Sequence, residues 1–70
     1  MKIHYDRKTD SLYIQLSEAK NIESEEIAPG FVLDFGNSNR VVGIDIEHAS
    51  TIIDLDKLEA NIPFAKKASV

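Results

Sequence analysis

The chain is 70 residues long, 43% hydrophobic, and carries 12 acidic against 8 basic residues, a formal net charge of −4. That describes one small folded domain, too short for two cores and too apolar for a disordered segment. The absence of cysteine excludes a disulfide framework, a thiolate metal site and a cysteine nucleophile. No unbroken apolar run exceeds three residues, so we expect neither a transmembrane helix nor a signal segment, and hence a cytoplasmic protein. The acidic balance disfavours nucleic acid, whose affinity comes mainly from cations meeting phosphates.

An alternation of period two dominates the first 47 residues. In Lys2–Asp6, Ile3 and Tyr5 alternate with Lys2, His4 and Asp6. The polar Arg7-Lys8-Thr9-Asp10 reads as a turn. Ser11–Leu16 follows, with Leu12, Ile14 and Leu16 on one face. Pairing Asp6 with Ser11 sets Tyr5 opposite Leu12 and Ile3 opposite Ile14, so turn length and apolar pattern agree on one register. Ser17–Ser24 reads as a solvated loop, and Glu25-Glu26-Ile27 leads into Pro29-Gly30, where a bend or bulge is expected. Phe31–Phe35 alternates again. Gly36-Asn37-Ser38-Asn39 is the strongest turn signal in the chain and predicts a hairpin with a two-residue loop. Arg40–Glu47 then puts Val42, Ile44 and Ile46 on one face and Val41, Gly43, Asp45 and Glu47 on the other. After His48 the period changes. Leu55, Leu58 and Ile62 form one stripe of a short helix, with Asp54 as N-cap and Pro63 disfavouring its continuation.

These elements predict an α+β, mostly β fold: a four-stranded antiparallel β-meander with a short C-terminal helix packed on one face. Residues 1–63 form the domain and 64–70 a tail. A two-turn helix cannot cover four strands, and a core of this size supplies only about 3–5 kcal/mol. A homodimer that shelters the remaining apolar surface is therefore expected.

The chain resembles the family catalogued as domain of unknown function 2283. The likeness lies in Tyr5-Asp6, Asp10, Leu12-Tyr13-Ile14, Glu25-Glu26-Ile27-Ala28-Pro29-Gly30, Val32-Leu33-Asp34, Val41-Val42-Gly43-Ile44-Asp45-Ile46 and Ala49-Ser50. Their ordered combination is specific, while each piece alone is weak. The resemblance implies a small prokaryotic-type protein without an assigned reaction. It also implies a place beside small toxin-like proteins of the ribonuclease class, and so an antitoxin-like role. The chain departs from the family pattern at Gly36–Asn39, where an acidic Asp-Gly turn is usual. It departs again at Asp45, where Glu is usual, and at Glu47-His48, where Leu-Asp is expected.

Candidate chemistry is sparse. His4 and Asp6 share a strand face at a spacing able to hold a metal, but a meander puts Asp45 and Glu47 about 14 Å away, three strand spacings from His4. An exposed strand histidine explains His4, and a turn position explains His48. Asp34, Asp45 and Glu47 fall on the outer face of neighbouring strands, where paired carboxylates do acid–base work or bind a hard cation. A solvated face salt-bridged to Lys2, Arg7 or Arg40 is the simpler reading. No serine lies in a G-x-S-x-G context, and no phosphate-binding glycine pattern exists. Tyr13, Val32 and Val41 are more apolar than a wetted face requires; with Asp34, Asp45 and Glu47 they form the candidate interaction surface. The sequence therefore predicts a non-enzymatic protein-interaction module without cofactor or metal, dimeric, meeting a basic protein partner through acidic residues. The alternative is a small enzyme or divalent-ion-binding domain using the outer-face carboxylates at a dimer cleft.

Overall fold

A computed structural model describes residues 1–59, 61 and 63. Five strands form one antiparallel sheet: β1 (Lys2–Asp6), β2 (Ser11–Gln15), β3 (Glu23–Ala28), β4 (Phe31–Phe35) and β5 (Val41–Glu47). The first hairpin has the register that the apolar pattern demands, with Ile3 opposite Ile14, Tyr5 opposite Leu12 and Asp6 opposite Ser11.

The order across the sheet is β1-β2-β5-β4-β3, not that of a four-stranded meander. After β2 the chain crosses to the far edge as β3 and winds back through β4, so that β5 closes against β2. Two features explain the difference. Leu12 and Ile14 of β2 find their matching row in Ile46 and Ile44 of β5. The end of the expected loop Ser17–Ser24, with the Glu25-Glu26-Ile27 that follows it, is instead part of the edge strand β3, exposed along its whole length. An acidic strand with no apolar face is tolerated only at an edge. The crossing begins where the amides of Leu16 and Ser17 both donate to the Val42 carbonyl, at 2.8 and 3.2 Å.

The turns differ in how well the sequence specifies them. At Pro29-Gly30 the expected irregularity is present: Ile27 is the extra residue of a bulge between Glu26 and Ala28. Gly30 takes a φ of +82°, open to glycine without strain, and its carbonyl accepts from the Glu47 amide at 2.8 Å. Between β4 and β5 the two-residue loop is replaced by a longer one. It is closed by a Gly36 amide to Arg40 carbonyl bond of 2.7 Å, with Ser38 and Asn39 both left-handed. A second bulge, between Asp34 and Phe35, absorbs the change of register.

The core lies on one face. Leu12, Val42, Ile46 and Ala49 are buried, and Tyr5, Phe31, Ile44, Ile53 and Leu55 pack against the cluster of Leu12, Ile46 and Ala49. The segment after β5 supplies the cover. His48, left-handed at φ 54°, turns the chain back over the face and places Ala49 at 0% exposure. The expected helix is absent among the described residues. In its place are 3-10 turns at Ala49–Thr51 and Leu55–Lys57. Asp54 precedes the second without a capping bond, Leu58 is extended and exposed, and Ile62 and the tail 64–70 lie outside the described residues. Two turns are too short to repay helix nucleation, and of the two described residues of the stripe Leu55 packs on the core while Leu58 does not.

Asp10 fastens this cover to the first hairpin. Its carbonyl accepts from the Ala49 amide at 2.9 Å. Its carboxylate accepts from the Tyr5 hydroxyl at 2.6 Å, the Ser50 hydroxyl at 2.7 Å and the Ser50 amide at 3.0 Å. The Tyr5 bond, then that of the Ser50 side chain, holds the Asp10 carboxyl below its ordinary range. The same bond to Asp10 raises the Tyr5 hydroxyl.

Two predictions arise here. Leu12→Ala removes about 2–5 kcal/mol, comparable to the whole stability of a core this small. The variant is expected to lose the cooperative thermal transition seen by circular dichroism. Because Asp10 is depressed when folded, its contribution is full above the ordinary carboxylate value of about 3.9 and is lost as pH falls through the lower folded value. Asp10→Asn should therefore melt lower at neutral pH and depend less on pH below about 4.

Candidate functional site

The face opposite the core carries a polar row running across all five strands. Strand register sets His4, Tyr13, Asp45, Val32 and Glu26 side by side. The next row holds Lys2, Gln15, Gly43, Asp34 and Ser24. Gly43 is the hinge between them. A Cβ there would overlap the Tyr13 hydroxyl and stand 2.7 Å from its Cζ, so the missing side chain is what lets the ring lie diagonally across β5. The Tyr13 hydroxyl then donates to Asp34 Oδ2 at 2.7 Å, and the Ser24 hydroxyl donates to Asp34 Oδ1 at 2.6 Å.

Both Asp34 oxygens are thus engaged by hydroxyls, where a salt bridge to Lys2, Arg7 or Arg40 was the expectation. The bond to Asp34, then burial, then the Asp34 and Asp45 charges push the Tyr13 hydroxyl up to about 12. At neutral pH Tyr13 is a fixed proton donor, not a base. Asp45, between Tyr13 and Val32, has a buried Oδ1 with no hydrogen-bond partner among the described residues.

Of the six candidate surface residues, Tyr13, Asp34, Asp45 and Val32 come together. Val41 faces Phe35 across the β4–β5 bulge, and Glu47 lies exposed at the other end of β5, opposite Ser11. The separation reasoned for His4 is corrected by the strand order. Only β2 lies between β1 and β5, so Asp45 is two strand spacings from His4, about 10 Å, with Tyr13 in the gap. Among the described residues no three His, Asp or Glu side chains gather as a metal would require. His48 borders a shallow depression with Glu47, Thr51 and Ile52, which meets this row only at Glu26 on the β3 edge. No helix among the described residues is long and apolar enough to cross a membrane.

Sequence reasoning missed Ser24, which lay in an apparent loop. It also passed over Gly43, although a glycine amid strand residues is the usual sign of a close approach.

The Tyr13–Asp34 bond gives a direct test. Asp34→Asn removes the largest cause of the raised value, so Tyr13 should titrate nearer the ordinary value of about 10. Gly43→Ala should do the same by displacing the ring. The readout is tyrosinate absorbance against pH. Tyr13, being raised, supports the fold fully below about pH 10 and loses that support as pH climbs to about 12.

No curated protein and no solved structure matches the chain. One family model matches residues 2–50, a span that opens at β1 and closes on Ser50, the last member of the Asp10 clasp. The chain belongs to that family, described as protein of unknown function DUF2283.

Proposed function

We propose that the protein is a non-enzymatic interaction module of the cytoplasm, a homodimer that binds a basic protein partner in an antitoxin-like role. The observation that carries this reading is β3. Its six residues are all exposed, three of them are Glu23, Glu25 and Glu26, and among the described residues it forms an open edge of the sheet. An open edge offers unpaired N–H and C=O groups to an incoming strand, and the glutamates select a basic one. Support for a second copy comes from apolar side chains left in water among the described residues, including Ile3 at 45% and Ile52 at 48% exposure. Support for a binding rather than a catalytic role comes from the outer face, where Tyr13 and Ser24 are committed to Asp34.

A second reading, a divalent-ion site at a dimer cleft, rests on the unpartnered Asp45 Oδ1.

The test is co-expression with the product of the adjacent gene, followed by co-purification and light scattering. The expected result is a dimer that retains the neighbouring protein and relieves its toxicity. Glu23→Lys combined with Glu25→Lys should abolish that retention. Failure to bind or protect overturns the antitoxin reading, and a monomer overturns the dimer. Heat on titration with magnesium or calcium, lost in Asp45→Asn, would replace the first reading with the second.

A further inference from the structure

Among the described residues nothing pairs with either edge of the sheet, and the two edges have opposite character. β3 reads Glu-Ser-Glu-Glu-Ile-Ala, interrupted by the Ile27 bulge. Antiparallel pairing of the Glu23–Glu26 stretch with the same stretch of another β3, both core faces on one side, sets glutamate against glutamate. Like charges directly opposite are destabilising, and a bulge blunts an edge. β1 reads Lys-Ile-His-Tyr-Asp, with no bulge in its pairing to β2. That sequence is self-complementary. Turned through a two-fold axis at His4, Lys2 meets Asp6 of the second copy, Ile3 meets Tyr5, and His4 meets His4.

Only this register pairs all five residues, keeps Ile3 and Tyr5 on the core side, and opposes unlike charges twice. A one-residue slip puts Ile3 and Tyr5 on the wrong face, and a two-residue slip separates Lys2 from Asp6. Lys2, Ile3 and His4 are exposed in the single chain. Asp6 spends Oδ1 on the Lys8 amide at 2.9 Å, which leaves Oδ2 for the incoming lysine.

We infer that the homodimer forms by antiparallel pairing of β1 with β1 of a second copy, its two-fold axis at His4. This rests on the dimeric reading above and names its seam. The two sheets become one of ten strands, the apolar faces adjoin, and both acidic β3 edges stay outermost.

Three measurements test the seam. Lys2→Glu and Asp6→Lys each turn two attractions into two repulsions, so each should raise the dimer Kd by about tenfold or more by sedimentation equilibrium. An equimolar mixture of the two variants should recover the dimer, because only unlike chains then match. Glu25→Lys should leave the dimer unchanged. His4→Cys should form an intermolecular disulfide under mild oxidation, since directly opposed residues have Cα atoms about 4.5–5.5 Å apart, within disulfide reach. The chain has no other cysteine to compete. Circular dichroism confirms that each variant folds; were Asp6→Lys to lose its turn, Lys2→Glu and His4→Cys still decide. A dimer indifferent to Lys2→Glu, with His4→Cys staying reduced, overturns this seam and leaves the dimeric reading standing. A monomeric wild type overturns both.

Discussion

The fold depends on the pairing of β2 with β5. Every other strand contact joins neighbours in the chain through a turn. This one joins residues about thirty positions apart, Leu12 to Ile46 and Ile14 to Ile44. Long-range pairing carries a loop-closure cost that short hairpins avoid, so something must hold the ends in place. Asp10 does so at one end, tying the β1–β2 turn to Ala49 and Ser50 just past β5. The Val42 carbonyl does so at the other, taking both amides at the exit of β2. With β5 between those two fastenings, its apolar side becomes the middle of the core.

Centre and edge are then assigned by composition. β5 carries buried Val42 and Ile46 and so belongs inside. β3 carries three glutamates, and even its Ile27 is left exposed, so it stands at the edge with its acidic side chains facing solvent. The same logic explains the outer face. β5 is central, so its outward residues cannot reach water as freely as those of an edge strand. Gly43 yields its space to Tyr13, and Asp34 is satisfied by two hydroxyls. Asp45 is left with one oxygen unserved, a cost that the sheet carries at its middle.

What the sequence disclosed follows from which interactions are local. The β1–β2 register was legible because a four-residue turn and four apolar residues demand the same alignment. The irregularity at Pro29-Gly30 was legible because both residues restrict or free the backbone locally. The strand order was not, since the partner of Leu12 lies far along the chain and alternation says only which residues share a face. β3 escaped notice because an edge strand held by β4 alone needs no apolar signal of its own. The helix was over-read from Leu55, Leu58 and Ile62, a stripe too short to outweigh the folding-back set by His48 and Ala49. Of the outer-face residues, Tyr13, Asp34, Asp45 and Val32 could be grouped from alternation. The bond that organises them needed Gly43 to be read as a gap rather than as a weak strand residue.

The contrast between the two edges connects these points to function. A sheet with two open edges invites unlimited growth unless at least one is made unfit for self-pairing. Placing three glutamates and no basic residue on β3 achieves this for copies of the same chain, because glutamates repel their own kind. The same glutamates do not deter a strand of opposite charge. An edge closed to self and open to a basic partner is the requirement for a small protein that must stay finite by itself yet bind another chain. β1, with one cation and one anion at its two ends, has the opposite property: it fits itself and offers a foreign basic strand no advantage. In the proposed reading one sheet keeps self-association and partner binding on opposite edges, with three strands between them and neither competing for the other's backbone groups.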